Sequence, residues 1–421
     1  MRHFIRKSLL QLTFSGAYLM RWNDKLRPVE LVEIDKQAHK MLLTCILWQQ
    51  YTSAHTNDGC DRTDLAREII EGGLFDYFYR LVITDIKPPV FYRIKENAKD
   101  YVKLTEHVLN ELRPLFSGAD DQDVKNSFWE RMCSWHRTGE RNTVAQRILS
   151  AAHLFASQWE FKLLAPLNPF DDEIDDIARS FEDKLSSYAD LPGMNKILTQ
   201  GTALSKLANL CGQLRFQIRW TRAPRIPATS VLGHMFIVAA LSYFFSLSLR
   251  TCQARANNNF FCGLFHDLPE LLTRDIISPV KQSVPNLPNI IKKYENDELE
   301  RRIFRPLRLE GAGSLVEQIS YYLGLDVGSE FYECCRENGK IKRIADFETL
   351  ERQYNADALD PKDGVLLKIC DWLAAFMEAH NSIRTGVSSP QLLEARTRLK
   401  TLLQEKGLPC LKLDTLLADF D

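Results

Sequence analysis

The chain has 421 residues, of which 45% are hydrophobic and 26% charged, so it is long enough for about two or three domains with sizeable cores. Its 54 Lys and Arg against 55 Asp and Glu leave a formal net charge of -1, which argues against an extended surface for nucleic acid or membrane. The ten cysteines have no regular spacing and no signal peptide is evident, so we expect reduced thiols in a cytoplasmic protein.

The first half of the chain has the apolar spacing of helices. Between residues 42 and 49, apolar side chains recur every three or four positions, whereas alternating strand-like runs are scarce throughout the sequence. Arg21-Trp22 precedes His39 by a short segment, and residues 73–90 read GLFDYFYRLVITDIKPPV. We therefore predict an all-α fold.

The second half repeats this order of features. Arg219-Trp220 precedes His234, and residues 263–280 read GLFHDLPELLTRDIISPV. His234 lies in the most apolar window of the chain, from Val231 to Leu249. Because that window also carries serines and the histidine, we predict a buried helix there and no membrane span.

The two halves look like copies of one helical domain. When residues 73–90 are laid on residues 263–280 without gaps, eight of eighteen positions are identical, including the Gly-Leu-Phe entry and the closing Pro-Val. The Arg-Trp pair recurs upstream of both segments at a similar distance. We predict an internal duplication, with one copy at 1–195 and the other at 196–421.

The copies differ where chemistry would occur. The replacements in the first copy are Asp76 for His266, Tyr77 for Asp267 and Arg80 for Glu270. Segment 147–153, the counterpart of the helix that carries Asp371, has mainly small apolar residues near the position of that carboxylate. Only His39 remains as a possible ligand, so we expect a metal-free first copy that serves as a scaffold, a dimer face or a regulatory lobe.

Two imidazoles and two carboxylates in the second copy form a metal-ligand set. The predicted ligands are His234, His266, Asp267 and Asp371. Such nitrogen and oxygen donors suit one divalent ion, with Mn, Co, Fe or Zn preferred over Ca, and they leave positions for water and a phosphate oxygen. The sequence does not choose among these metals.

The second copy resembles the HD superfamily of metal-dependent phosphohydrolases, and within it the bacterial HD-domain 5'-deoxynucleotidases. The residues that carry the resemblance span most of 215–380 and are Arg219-Trp220, His234, Phe265 to Glu270, Leu272 to Asp275, Pro279-Val280-Lys281 and Lys368 to Asp371. The resemblance implies a compact all-helical fold for both copies. These nucleotidases are usually single short domains that self-associate, so the fused copy is expected to replace a partner subunit in an intramolecular pseudo-dimer, with a homo-oligomer left open.

The predicted catalytic residues are Glu270 and Asp267. Glu270 lies four residues past His266, which places both on one face of a helix, and we expect it to handle a proton of the attacking water or the leaving alkoxide. A salt bridge to a nearby arginine is the alternative role for Glu270.

Four residues are predicted to bind substrate. Arg219 suits a bidentate contact with a phosphate, and Trp220 offers a rigid wall beside the sugar. The alternative is a buried tryptophan beside a surface arginine. By the resemblance, Asp275 contacts the sugar hydroxyl, although a helix N-cap is also open, and Lys281 helps to hold the phosphate.

The predicted function is hydrolysis of a nucleotide, with a deoxynucleoside 5'-monophosphate as first choice, by in-line attack of a metal-activated water on phosphorus. Two alternatives stay open. One is an HD hydrolase of another phosphorylated nucleotide, such as a triphosphate, a cyclic nucleotide or an alarmone. The other is a nucleotide-responsive regulatory protein without useful turnover.

Overall fold

The structure, a computed structural model, describes residues 5–56, 61–116, 122–139, 141–274 and 284–421. The fold is all-α, as predicted, with one small hairpin in the described residues. The helices up to residue 213 are α1 Lys7–Ser15, α2 Glu33–Ala54, α3 Arg62–Ile83, α4 Pro88–Glu96, α5 Ala98–Leu112, α6 Gln122–Arg137, α7 Val144–Leu164, α8 Ile174–Ser186, α9 Met194–Leu198 and α10 Ala203–Gln213.

The later helices carry the predicted site. They are α11 Val231–Leu249, α12 Gln253–Phe265, α13 Glu270–Thr273, α14 Leu287–Leu299, α15 Arg305–Leu309, α16 Gly313–Tyr322, α17 Phe347–Gln353, α18 Gly364–Arg384, α19 Pro390–Lys406 and α20 Leu413–Ala418. A π-helical turn spans Glu300–Phe304, and short 3-10 turns occupy Arg113–Phe116, Ala165–Leu167, Leu214–Phe216, Asp357–Leu359 and Pro409–Leu411. The antiparallel hairpin pairs β1 Cys334–Glu337 with β2 Lys340–Arg343, so that Cys334 faces Arg343.

Polar caps begin the helices that matter for the site. The Ser230 hydroxyl accepts the backbone N–H of Gly233 at 2.9 Å and starts α11, and the Asp363 carboxylate accepts that of Leu366 at 3.3 Å and starts α18. Thr143 starts α7 with a capping box. Such caps satisfy N–H groups that have no partner inside the helix, and they fix where each helix begins.

Both halves share one hydrophobic core. In the first half α2 packs against α3 and α7, in the second α11 packs against α12 and α18, and α2 also packs against α11. At the start of the two central helices, the Ser230 hydroxyl donates to Asp35 at 2.6 Å. Tyr77 meets Phe236 edge to face, with ring centroids 4.9 Å apart. The predicted boundary between residues 195 and 196 falls inside α9, and the division into two domains stays a prediction.

Helix α11 is the one candidate membrane span among the described residues, and 89% of its apolar window is buried inside the protein. Its buried residues run without a break from Val231 to Ser246. The prediction of a buried core helix is confirmed. Its first turn is therefore held on all sides by other helices, which makes it a rigid place for a ligand.

Candidate metal centre

His234 lies in the first turn of α11, four residues after the cap at Ser230, and its side chain is fully buried. Its Nε2 is 3.1 Å from Oδ1 of Asp371, and its Nδ1 is 3.2 Å from Oε1 of Glu378. Both carboxylates are on α18. The packing of α11 against α18 thus brings together groups that are 137 and 144 positions apart in sequence.

His266 stands at the C-terminal end of α12 and not inside it. The helix ends at Phe265, turns follow, and α13 begins only at Glu270. The expectation that His266 and Glu270 share a helix face is therefore wrong. The physical reason is Pro269, which has no N–H to continue the α-helical bonds; the N–H of Leu268 already bonds back to the Phe265 carbonyl at 2.8 Å in a tight turn.

Asp371 lies two turns into α18, where its two oxygens have different neighbours. Oδ1 faces His234, and Oδ2 accepts a hydrogen bond from Nζ of Lys368 at 2.9 Å. The side chain is 18% exposed, so it lies at the border between the core and solvent. An ion beside His234 would be reachable from outside through this side of the site.

The ligand atoms of His234, His266 and Asp267 lie within 4.8 Å of one another, and Asp371 adjoins this group through His234. The Gly263 carbonyl faces Nδ1 of His266 at 2.8 Å. Nε2 of His266 is buried, 3.3 Å from Oδ2 of Asp267, and has no hydrogen-bond partner among the described residues. A buried ring nitrogen with no hydrogen bond beside carboxylates is a metal donor, so these residues fit a divalent ion.

The charges of the site favour a cation. Burial opposes the ionisation of Asp267, but His266 and Arg219 hold the pKa of Asp267 well below its usual range. Burial also opposes the protonation of His266, yet the Asp267 carboxylate outweighs it and raises the pKa of His266 to about 9. Against its own burial, the pKa of Asp371 is held low by Lys368 and the imidazoles. Ionised carboxylates that draw a proton onto a buried imidazole mark a place for positive charge.

Glu378 is the site residue that the sequence prediction missed. It is fully buried, accepts the indole N–H of Trp220 at 2.6 Å and the Thr229 hydroxyl at 3.0 Å, and faces Nδ1 of His234. Although burial opposes its ionisation, Arg219 and His234 hold its pKa well below the usual range. Glu378 follows Asp371 by seven residues, which is two turns on one helix face, and this spacing is the signal that would have found it.

Arg219 and Trp220 lie beside the predicted ligands. Nη1 of Arg219 is 3.4 Å from Oδ2 of Asp267, and its Nε is 3.4 Å from Oε2 of Glu378. The Arg219 side chain is 14% exposed, so the alternative of a surface arginine does not describe it. Trp220 has a φ of 61°, a left-handed conformation that turns the chain sharply here and that a bulky residue rarely adopts.

The structure gives less information on the remaining predicted site residues, Glu270, Asp275 and Lys281. The Glu270 carbonyl accepts from Nε2 of Gln217 at 3.0 Å. Burial lowers the pKa of Arg219, but Glu378, Asp267, Glu270 and Asp371 together raise it above its usual value, so the Glu270 carboxylate belongs to the same electrostatic cluster. Asp275 and Lys281 lie outside the described residues.

Residues 211–400 match a family model described as HD domain. The match includes His234, His266, Asp267 and Asp371, and also Arg219 upstream of them. We call this matched stretch of the chain the HD domain. HD domains are generally metal-dependent hydrolases that bind divalent ions, in agreement with the His/Asp cluster. The chain has no significant match among curated proteins or among solved structures.

The frame around the HD-domain site recurs in the first half of the chain. Nε of Arg21 and Nε1 of Trp22 donate to the same oxygen of Glu160, at 2.8 and 3.0 Å, as the second Arg-Trp pair contacts Glu378. Trp22 also has a positive φ, of 56°. A backbone bridge closes both turns and joins Met20 to Val32 in the first half and Ile218 to Ser230 in the HD domain.

Lys36, not His39, occupies the position that corresponds to His234. Lys36 follows its bridge residue Val32 by four positions, as His234 follows Ser230. The expectation that His39 is retained from the ligand set is therefore wrong. One turn further along α2, the His39 ring packs against Phe155 and Trp159, and its Nε2 is 2.9 Å from the Ala208 carbonyl, so it is a core residue.

His153 occupies the position that corresponds to Asp371. It precedes Glu160 by seven residues, as Asp371 precedes Glu378. Nδ1 of His153 is 2.7 Å from Nζ of Lys36, which repeats the contact between Asp371 and His234 with different chemical groups. The first half thus keeps the geometry of the site and changes its side chains.

Proposed function

We propose that this chain is a metal-dependent phosphohydrolase that releases phosphate from a nucleotide, with a deoxynucleoside 5'-monophosphate as its substrate. The observation that carries the proposal is the cluster of His234, His266 and Asp267, with Asp371 beside it, inside an HD domain. The choice of a nucleotide monophosphate rests on the resemblance of the surrounding motifs to the 5'-deoxynucleotidases.

The predicted ligands of one divalent ion are His234, His266, Asp267 and Asp371. Such an ion supplies Lewis acidity, because it lowers the pKa of a water molecule and neutralises phosphate charge. The protein contributes orientation. The Gly263 carbonyl positions Nδ1 of His266, the Glu378 carboxylate positions Nδ1 of His234, and both leave Nε2 for a ligand. The donor set suits Mn, Co, Fe or Zn.

Arg219 and Lys368 are the cations that would bind the phosphate. Both contacts of Arg219 with carboxylates are 3.4 Å long, well beyond the distance of a strong charge-assisted hydrogen bond, so its planar donors can turn to a phosphate at little cost. Lys368 already lies against Asp371 at 2.9 Å, at the open side of the site. Together they would hold the anion against the ligand set.

The other predicted contacts concern the sugar and the proton. Because Glu378 accepts its indole N–H at 2.6 Å, the plane of Trp220 is fixed and can act as a wall beside the sugar. Glu270 would accept the proton of the attacking water or deliver one to the leaving alkoxide. By the resemblance, Asp275 would contact the sugar hydroxyl and Lys281 the phosphate.

We also propose that the chain is a tandem duplication of the segments 1–195 and 196–421 that forms an intramolecular pseudo-dimer. The recurring Arg-Trp-Glu frame and the two matching backbone bridges support this origin. The shared core and the contact of Ser230 with Asp35 support an arrangement in which the first half takes the place of a partner subunit.

The test is phosphate release by protein that has been stripped with EDTA and then supplied with Mn, Co, Fe or Zn. We expect turnover of deoxynucleoside 5'-monophosphates only with metal, and a loss of at least about a thousandfold in Asp267→Asn, since a ligand is removed. Tyr77→Phe, the change at the corresponding position of the first half, should leave kcat/KM within about twofold, because the hydroxyl that it removes donates to the Thr13 carbonyl of the first half.

The substrate panel separates the alternatives. Preferential cleavage of triphosphates, cyclic nucleotides or alarmones would indicate a hydrolase that acts on a different nucleotide substrate. Saturable nucleotide binding without turnover for any metal would indicate a regulatory protein. A purified chain that binds none of these ions would overturn the enzyme proposal altogether.

A further inference from the structure

The four positions of the first half that correspond to metal ligands have a different charge. With a metal ion bound in the HD domain, the two imidazoles would be neutral, and the two carboxylates would supply two negative charges that the divalent ion balances. The corresponding residues of the first half are Lys36, Asp76, Tyr77 and His153. A protonated Lys36 and the Asp76 carboxylate would cancel, so this set needs no metal ion for neutrality.

Lys36 has fewer acceptors than its ammonium group needs. Its side chain is 3% exposed, and its Nζ has three hydrogens to donate. Nδ1 of His153, at 2.7 Å, is its one hydrogen-bond partner among the residues that the structure describes, and the nearest carboxylate oxygen, on Glu33, is 3.6 Å away. Burial, with Arg21, Lys40 and Arg80 nearby, outweighs Glu33 and lowers the pKa of Lys36 to about 7. A further anionic acceptor would therefore stabilise the ammonium form of this side chain.

The carboxylates around Lys36 are held by other cations. Arg21 binds Glu33 at 2.5 Å and Glu160 at 2.8 Å. Arg215 takes the second oxygen of Glu160, at 2.8 Å, and Lys40 binds Asp76 at 2.8 Å. Arg80 lies 3.6 Å from Glu33 and binds Asp85 at 2.6 Å. Since each carboxylate has a closer cation than Lys36, the charge of Lys36 is left for another anion.

Several side chains around Lys36 border on solvent. His153 is exposed, the Asp76 side chain is 41% exposed and that of Arg80 is 22% exposed, whereas Lys36 and Glu33 are buried beneath them. An anion that enters past His153 would meet the Lys36 ammonium with Arg80 nearby.

We propose that Lys36, His153 and Arg80 form a second binding site that takes the phosphate group of a phosphomonoester without a metal ion. The ammonium of Lys36 supplies the positive charge that a divalent ion would supply in the HD domain, and it binds phosphate oxygen as a point charge. The choice of a phosphomonoester rests on the function proposed above, whereas the need of Lys36 for an anionic acceptor does not. No bond is made or broken at this site, because it lacks the carboxylate ligands and has Arg80 where the HD domain has Glu270.

The test uses the full chain with Asp267→Ala, kept in EDTA, and titrates it with deoxyadenosine 5'-monophosphate in a calorimeter. We expect one binding site per chain. Lys36→Met should weaken binding at least tenfold, whereas Lys36→Arg, which keeps the charge, should stay within about threefold. The matched control is Lys342→Met, at an exposed lysine of the hairpin that binds Glu337 at 2.9 Å, which should leave this EDTA-resistant binding unchanged.

Two results would overturn the proposal: no binding in EDTA, or undiminished binding in Lys36→Met. If Lys36→Met does not fold, Arg80→Gln decides, since Arg80 is partly exposed and its charge faces the same site; an affinity within twofold of the parent would count against the proposal. Failure here and failure of the hydrolase are distinguishable, because this titration needs neither metal nor turnover, whereas the hydrolase is tested by metal-dependent phosphate release in the unmodified chain.

Discussion

The two halves of this molecule build the same Arg-Trp-Glu frame and hold its arginine in different ways. In the first half Arg21 is locked to Glu33 at 2.5 Å and to Glu160 at 2.8 Å. In the HD domain the contacts of Arg219 with Asp267 and Glu378 are both 3.4 Å long. The frame is therefore common to both halves, and its arginine is held more loosely in the HD domain.

The same comparison holds for the helix that begins after each frame. Both central helices begin three residues before a polar side chain that faces the neighbouring helix. In the HD domain that residue is His234, whereas in the first half it is Lys36. One geometry thus accepts either a metal donor or a cation. The fold does not decide between them; the side chain at this one position does, together with its partner on the neighbouring helix.

The strongest test of the difference between the two halves is to remove the carboxylate of the Arg-Trp-Glu frame in each half, Glu378 or Glu160. Glu378→Gln should lower metal affinity by about 10- to 100-fold, because Glu378 orients His234. Glu160→Gln should leave metal affinity unchanged and lower the free energy of unfolding by about 3–5 kcal/mol, because it leaves the buried Arg21 and Arg215 poorly paired. Metal titration and denaturant unfolding of both variants measure this, and equal effects on metal binding would show that the halves are not functionally distinct.

A second pair of variants tests the close approach of helices behind the two sites. A Cβ on Gly263 would lie 2.7 Å from backbone atoms of Ala239, whereas a Cβ on Gly73 would meet the flexible end of Met41. Gly263→Ala should cost about 2 kcal/mol of stability and weaken metal binding, because it displaces the carbonyl that holds His266.

Gly73→Ala should cost less than about 1 kcal/mol, since a methionine side chain can move aside. Thermal unfolding of both variants, with and without metal, checks the difference. A larger loss in Gly73→Ala would contradict the packing described here.

Substitution of the frame arginines, Arg219 and Arg21, is expected to have smaller effects. Arg219→Lys should raise the KM for a nucleotide monophosphate about tenfold with a smaller change in kcat, because lysine cannot form the bidentate phosphate contact. Arg21→Lys should leave both kinetic constants within about twofold and lower stability instead. Steady-state kinetics for the two variants measures the contrast, and an unchanged KM in Arg219→Lys would remove this arginine from the substrate site.

The smallest expected effect concerns His39, the core histidine of the first half. Its pKa is lowered from 6.5 to about 3, chiefly by burial, with Arg215 adding to the effect. Below pH 6.5 the unfolded chain therefore takes up a proton that the folded chain refuses, and stability falls as the pH falls toward 3. Between pH 7 and 5.5 this loss amounts to about 1 kcal/mol.

His39→Gln removes this titrating group. Between pH 7 and 5.5 its free energy of unfolding should therefore fall by about 1 kcal/mol less than that of the unmodified chain. Urea unfolding at the two pH values measures it. An identical pH dependence in His39→Gln and in the unmodified chain would mean that the ring is protonated in the core, against the geometry found here.

The amino-acid sequence by itself determined the all-helical class, the burial of α11 and the ligand motif of the HD domain. The reason is that these features are local: helical spacing, a long apolar run, and a His-Asp pair in a short motif can be read without knowing which segments touch.

Tertiary structure alone decided two other features. It paired His234 with Asp371 and Glu378, and it put Lys36 instead of His39 at the first half's site. Contacts across 137 or more positions depend on how helices pack, and both Lys36 and His39 occupy buried positions of the same helix, one turn apart. Which of two such residues faces a site depends on where the helix begins relative to the preceding turn, and that register was set by the backbone bridge between Met20 and Val32.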